Sequence, residues 1–290
     1  MIVSVLWISA FDSNRIVVTD YSFESEKVKK PMKFVFLSDL HCKMFGYEGT
    51  FLVEKIREIN PDVILIGGDM ITAHPHVSTD KTVAFMKNLS GLGCPVFYGF
   101  GNHEYRLKIY PDTYGDKWER YSKSLEEIGI RITENGFVTI PEAGIKLISF
   151  SPDKKYYKRL KNIKMEPEYI EETAGKTDDG YFNVLLSHNP AFFETYVSYG
   201  ADLTLSGHVH GGIVRIPVPV SKKAREAGVH TMRGVVSPGV RLFPKYDSGR
   251  FDKDGRTMLV SRGLGSHTIH LRVFNPADLM VIDLLPQNRV

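Results

Sequence analysis

Short apolar runs bounded by turn residues recur along the chain: "KFVFLSD" (33–39), "DVILIGGD" (62–69), "PVFYGFGN" (95–102), "IKLISF" (145–150), "NVLLSH" (183–188), "LTLSGH" (203–208), "TMLVSRG" (257–263) and "LMVIDLL" (279–285). They are rich in Val, Ile, Leu and Phe and nearly continuous rather than alternating, which predicts strands buried on both faces. Helical periodicity lies between several of them. "TFLVEKIREIN" (50–60) places Phe51, Ile56 and Ile59 among charges and stops at Pro61; "DKTVAFMKNLS" (80–90) and "WERYSKSLEEIG" (118–129) are similar, with Gly129 closing the last. Such alternation predicts a layered α/β fold.

Two regions break the pattern. "PDKKYYKRLKNIK" (152–164) carries six basic residues with interleaved tyrosines, and residues 218–255 are long, turn-rich and basic. Each reads either as a solvated surface or as a rim that gathers an anionic substrate. The start, "MIVSVLWISAFDSNR", holds an apolar stretch well short of the ~20 residues that span a bilayer, and lacks the basic leader and cleavage site of a signal peptide. An edge strand, an amphipathic start and the end of a membrane anchor are all open readings of it.

Composition adds bounds. At 290 residues and 42% hydrophobic content the chain can bury the core of one large α/β domain. A net charge of +3 suits an anionic substrate but falls short of a nucleic-acid-binding balance, so no specific nucleic-acid partner is expected. Cys42 and Cys94 are too few for a disulfide framework or a thiolate zinc site, and free thiols are expected.

The candidate chemistry sits at the ends of the runs. "SDLH" offers Asp39 and His41, "GGD" Asp69, "GNHE" Asn102 and His103, "SHN" His188, and "GHVHGG" His208 and His210. If the run before His208 continues as an extended strand, both imidazoles point to one side, and the glycines after them allow a sharp bend or a close approach to a ligand. In open α/β sheets, ligands collect beyond the carboxyl ends of the strands, so these groups would converge. Carboxylate, imidazole and amide oxygen without thiolate suit Mn, Fe or Zn. Seven of these eight groups already exceed the needs of one ion, so two are implied, with Asp69 in its tight turn as the natural bridge. Such a pair activates a water as hydroxide and clamps phosphoryl oxygens during in-line attack. Among the remaining polar residues, Glu104 either hydrogen-bonds a ligand or faces solvent, Cys42 packs, and Arg262 either clamps a phosphate or forms a structural salt bridge.

The ordered series "DLH…GGD…GNHE…SHN…GHVHGG" resembles the calcineurin-like metallophosphoesterase superfamily. The resemblance implies a four-layer α/β sandwich of two mixed sheets packed face to face with helices outside. It places Asp39, His41 and His210 on one metal and Asn102, His188 and His208 on the other, with Asp69 between. It makes His103 the residue that contacts the phosphoryl group and protonates the leaving oxygen. The tail "VSRGLGSHTIHLRVFNPADLMVIDL" is similar to a bacterial phosphodiesterase-like subgroup, often membrane-anchored, that includes hydrolases of the UDP-2,3-diacylglucosamine pyrophosphate; Ile213 stands where that subgroup has Gln after the two glycines. His267 and His270 in this tail read as surface or core residues rather than ligands.

The expectation is therefore an N-terminal extension, edge strand or anchor remnant over 1–30, then a metallophosphoesterase domain over 31–290. That domain would use two metal ions, manganese before iron or zinc, to hydrolyse a phosphodiester or pyrophosphate in a phosphorylated small-molecule or lipid substrate. A phosphomonoesterase, a nuclease and a non-catalytic metal-binding scaffold are the alternatives. The expected location is the cytoplasm or the inner face of the membrane, with export also open.

Overall fold

A computed structural model describes residues 2–157, 163–219, 232–237, 242–266 and 271–287. Parts of both basic regions, and His267 and His270, lie outside the described residues.

Two six-stranded mixed sheets form the centre. The first runs β1 (Ile16–Ser25), β14 (Ala277–Pro286), β2 (Met32–Leu37), β3 (Val63–Ile66), β4 (Val96–Gly99) and β5 (Ile132–Thr133). The second runs β12 (Gly249–Lys253), β13 (Arg256–Val260), β9 (Leu203–Ser206), β8 (Phe182–Ser187), β7 (Ile145–Phe150) and β6 (Gly136–Ile140). A ribbon of β10 (Arg215–Pro217) and β11 (Met232–Gly234) stands apart from both. Within each sheet a parallel core (β2 to β5; β13, β9, β8 and β7) is flanked by antiparallel pairings, β14 with β2 on one side and β12 with β13 and β6 with β7 on the other.

The strands bury both faces, as their apolar continuity requires. Along β2, Phe34 and Phe36 point into the layer between the sheets, while Val35 and Leu37 point to the helices, the two-residue period of a pleated strand. Val184, Leu186, Leu203, Leu205 and Leu259 meet the phenylalanines from the second sheet. Helices α2 (Thr50–Ile59), α3 (Asp80–Ser90) and α6 (Lys117–Glu127) cover the outer face of the first sheet, and α7 (Pro167–Ala174) and α8 (Phe193–Tyr199) that of the second. The architecture is the expected four-layer sandwich. Two short helices, α4 (Asn102–Ile109) and α5 (Pro111–Tyr114), follow β4.

Some local expectations are corrected. In α2 the buried face is Leu52, Val53 and Ile56, whereas Phe51 is 70% exposed; the helix ends at Ile59 because Asn60 takes a left-handed cap, before Pro61 is reached. The strands are also shorter than the runs. Those before Asp39, Asp69, Asn102 and His208 stop two or three residues before the candidate ligand and that before His188 one residue before it, so the candidate ligands stand beyond the strand ends, Asn102 opening α4.

Residues 2–14 form a helix, α1 (Ile2–Asn14), and the edge strand is the stretch after it, β1, paired in parallel with β14 along its length. Ser9 and Asp12 of α1 are buried and accept hydrogen bonds from the Arg272 and Asn275 amides, while Leu6, Trp7 and Phe11 are exposed. Among the described residues no helix is long and apolar enough to cross a membrane. Cys42 and Cys94 are free thiols, and Cys42 packs against the helical core.

Candidate metal centre

The turns after β2, β3 and β4 of one sheet meet those after β8 and β9 of the other, and their polar side chains face each other. Ligand atoms of Asp39, His41 and His210 form one close group; those of Asp69, His188 and His208 form another; His41, Asp69 and His103 link the two. His210 Nε2 is 3.3 Å from Asp39 Oδ1 and 3.2 Å from His41 Nε2. His188 Nε2 is 3.0 Å from Asp69 Oδ2, and the His41 and His103 Nε2 atoms are 3.9 and 4.0 Å from that same oxygen.

The backbone that delivers these groups is strained. Asp39, His41, Asp69, His208 and His210 all have φ between 50° and 72°, in the left-handed region that residues with a Cβ avoid. His208 and His210 thus reach the cluster from a tight turn rather than from an extended strand, and they arrive in different groups. The following glycines serve contacts within the protein: a Cβ on Gly211 would strike Asn275 and Arg262, and one on Gly212 would strike Gly234. The "GGD" and "GNHE" turns also approach closely, since a Cβ on Gly68 would lie 2.0 Å from the Gly101 nitrogen.

Hydrogen bonds from behind orient the candidate ligands. His188 Nδ1 donates to the Gly67 carbonyl at 2.8 Å and His210 Nδ1 to the Gly265 carbonyl at 3.1 Å, which turns both Nε2 lone pairs inward. Ala73 N–H donates to His103 Nδ1 at 2.8 Å, so the proton of that ring sits on Nε2, facing the cluster. Asp39 accepts from the Ser38 hydroxyl and the His208 amide, and Asp69 Oδ1 accepts from the His103 amide.

Glu104 is the brace that sequence left undecided. It is fully buried and takes no place in the ligand groups. Oε2 accepts from Asp69 N–H (2.8 Å) and Gly101 N–H (3.0 Å), and Oε1 from Met70 N–H (2.9 Å) and the Tyr98 hydroxyl (2.8 Å). One carboxylate thus ties two ligand turns together; its only sequence signal was a Glu at the third position of a helix, able to reach back to the cap. Burial and the Asp69 charge raise it to about 7.

A second brace carried no sequence signal at all. Arg272 is buried and donates to the carbonyls of Arg262, Gly263, Gly265, Asn275 and Pro276, fixing the loop whose Gly265 carbonyl holds His210. Arg262 pairs with Asp278 at 2.8 Å and bonds Thr19, so its guanidinium is committed to a salt bridge.

Within the cluster the buried carboxylates and imidazoles shift one another strongly. Burial alone would lower His188, yet the Asp69 and Asp39 charges outweigh it and raise it to about 10. Asp69 is held well below the usual carboxylate range: burial opposes this, but His188 and His103 prevail. Burial raises Asp39, with the His188 charge opposing and the Asp69 charge reinforcing. Burial and the His188 charge push His208 down to about 3, leaving it neutral. The fit to metal is marked by Asn102 Oδ1, which is buried and makes no hydrogen bond, beside a His188 Nε2 that faces the Asp69 and Asp39 carboxylates. Burial without a partner is costly, and a coordinating ion removes that cost.

The calcineurin-like phosphoesterase family matches residues 32–212, more than half of the chain and every candidate ligand. The chain belongs to the calcineurin-like phosphoesterase family. This is a class of metal-dependent phosphoric ester hydrolases. A Helicobacter pylori metallophosphoesterase is 27% identical over 91% of this chain, which spans 62% of that relative's length. LpxG of Chlamydia muridarum, a UDP-2,3-diacylglucosamine pyrophosphatase, is 23% identical over 88% of this chain and 84% of its own. Among solved structures, a dimetal phosphatase from Danio rerio matches with a TM-score of 0.42 and 12% identity, over 80% of this chain and 88% of that one.

Proposed function

We propose that this phosphoesterase hydrolyses a phosphodiester or pyrophosphate bond in an amphipathic substrate met at or near a membrane surface. The observation that carries the reading is a cavity of about 1160 Å³ opening from Asn102, His103 and His208, far larger than a phosphoryl group needs. Its walls combine tyrosines and apolar side chains (Tyr110, Tyr156, Phe192, Phe243) with a basic rim that includes Lys154 and Lys245. Rings suit a base or sugar, apolar walls suit an acyl chain, and lysines suit a second anionic group. The pyrophosphatase activity named for the Chlamydia relative points the same way.

In this reading Asp39, His41 and His210 would hold one metal and Asn102, His188 and His208 the other, with Asp69 serving both; manganese is favoured, and iron or zinc also suit these donors. Two such ions supply Lewis acidity at the phosphoryl oxygens when bound. The chain does the rest. Carbonyl-anchored imidazoles and the Glu104 brace hold the donor atoms in place before substrate arrives, and His103 presents its Nε2 proton to the leaving oxygen. The exposed Leu6, Trp7 and Phe11 lie on α1, whose Asp12 is bonded to the Asn275 amide while the Asn275 side chain donates to the His210 carbonyl; on this side of the site they suit the interface of a bilayer.

The test is a comparison of the Mn²⁺-loaded full chain on bis-p-nitrophenyl phosphate, p-nitrophenyl phosphate and a UDP-linked lipid, the last with and without anionic vesicles at low and high salt. Turnover of the diester or pyrophosphate above the monoester, with a salt-sensitive gain on vesicles, is expected. A preference for the monoester overturns the substrate class; indifference to vesicles and salt overturns the membrane part alone.

A further inference from the structure

One hydroxyl in the cleft wall has no partner. Tyr157 ends the short helical turn Lys154–Tyr157 after β7, and its ring packs edge-on against the His208 imidazole with centroids 5.7 Å apart. It lines the same cavity as Asn102, His103 and His208. Its hydroxyl is buried and makes no hydrogen bond. The other buried phenols nearby are engaged: Tyr196 donates to the Asn189 carbonyl and accepts from Ser187, while Tyr98 bonds Glu104 and Tyr121. A buried polar group left open in this way calls for a specific explanation. Asn102 Oδ1, also open, is an acceptor that suits a cation. Tyr157 differs from it because a phenol ordinarily stays protonated and donates. What it lacks is an acceptor.

We propose that the Tyr157 hydroxyl donates a hydrogen bond to a non-bridging oxygen of the substrate's phosphoryl group, on the side of the site formed by Asn102, His188 and His208. This rests on the phosphoesterase reading above and adds to it a contact from the tyrosine-bearing basic segment. Phosphoryl oxygens are strong acceptors and carry the negative charge of the reacting group, so a donor already in place stabilises that charge without reorganising. The ring's packing on His208 fixes where the hydroxyl can point.

Tyr157→Phe removes one oxygen and keeps the ring on His208. In the Mn²⁺-loaded full chain, metal content and melting temperature should match wild type. Affinity for inorganic phosphate, measured by calorimetry, should fall about 10-fold to 100-fold, as for loss of a hydrogen bond to a charged partner. The kcat/KM values for bis-p-nitrophenyl phosphate and p-nitrophenyl phosphate should fall by a common factor, because the contact is to the part they share. Phosphate affinity and turnover both within two-fold of wild type overturn the assignment, as does loss of metal. A loss confined to one ester also overturns it, since the hydroxyl would then touch the organic group. If wild type neither binds phosphate nor cleaves any ester, the phosphoesterase reading fails and this inference with it; an active wild type with an indifferent variant sinks the inference alone.

Discussion

Replacing Glu104 by Gln turns one carboxylate oxygen into an NH₂ that must face groups already donating. Put at Oε2, the amide would oppose both Asp69 N–H and Gly101 N–H; put at Oε1, it opposes Met70 N–H and the Tyr98 hydroxyl, which can turn to donate to Tyr121 and accept instead. The second orientation wins, leaving one buried backbone donor orphaned, at a cost of about 1–3 kcal/mol. Glu104→Ala orphans the three backbone donors, the Tyr98 hydroxyl turning to Tyr121, for which the same figure gives roughly 3–9 kcal/mol, and water entering the cavity recovers part. Because two of those donors lie on the Asp69 turn and one on the turn before Asn102, metal binding should weaken in step with stability. Urea unfolding of the metal-free proteins, with elemental analysis after loading, reads both. Glu104→Ala within about 1 kcal/mol of wild type, or a full complement of metal in that variant, would refute the brace.

Asp69→Asn should abolish binding of both metals, whereas Asp39→Asn or His188→Ala should each chiefly cost one; an Asp69 variant that keeps two metals while the Asp39 variant loses one would invert the roles. His103→Gln should keep both metals and lose about 10²–10⁴-fold in turnover of an alkyl ester, but much less on p-nitrophenyl esters, whose leaving group needs little proton transfer; equal losses would point to positioning. In the metal-free protein, His188 is raised from its ordinary 6.5 to about 10, so its stabilising charge is fully present below pH 6.5 and is lost as pH rises towards 10. Metal-free melting temperature should therefore fall across that window, while metal affinity rises because each ion displaces a proton. A flat metal-free profile would defeat this account.

The sequence by itself determined the layers and the order of the chemistry. Continuous Val, Ile, Leu and Phe runs can be satisfied only by burial on both faces, so the strands Met32–Leu37, Val63–Ile66, Ile145–Phe150 and Phe182–Ser187 had to be interior, with helices outside them. The ligand-bearing motifs could be read because each follows a strand, and parallel strands deliver their carboxyl ends to one edge. Tertiary structure decided the rest. Nothing local tells "MIVSVLWISA" to be helix rather than strand; α1 stands where Ser9 and Asp12 meet amides of the 272–275 loop, far along the chain. The left-handed turns at Asp39, Asp69, His208 and His210 violate local preference and persist only because the surrounding packing and hydrogen bonds hold them, as where Gly68 meets Gly101 at a distance no Cβ permits. Glu104, Arg272 and Tyr157 belong to the same class. A carboxylate, a guanidinium and a phenol look alike on a surface and in a core, and what each does follows from which backbone groups, distant in sequence, the fold sets against it.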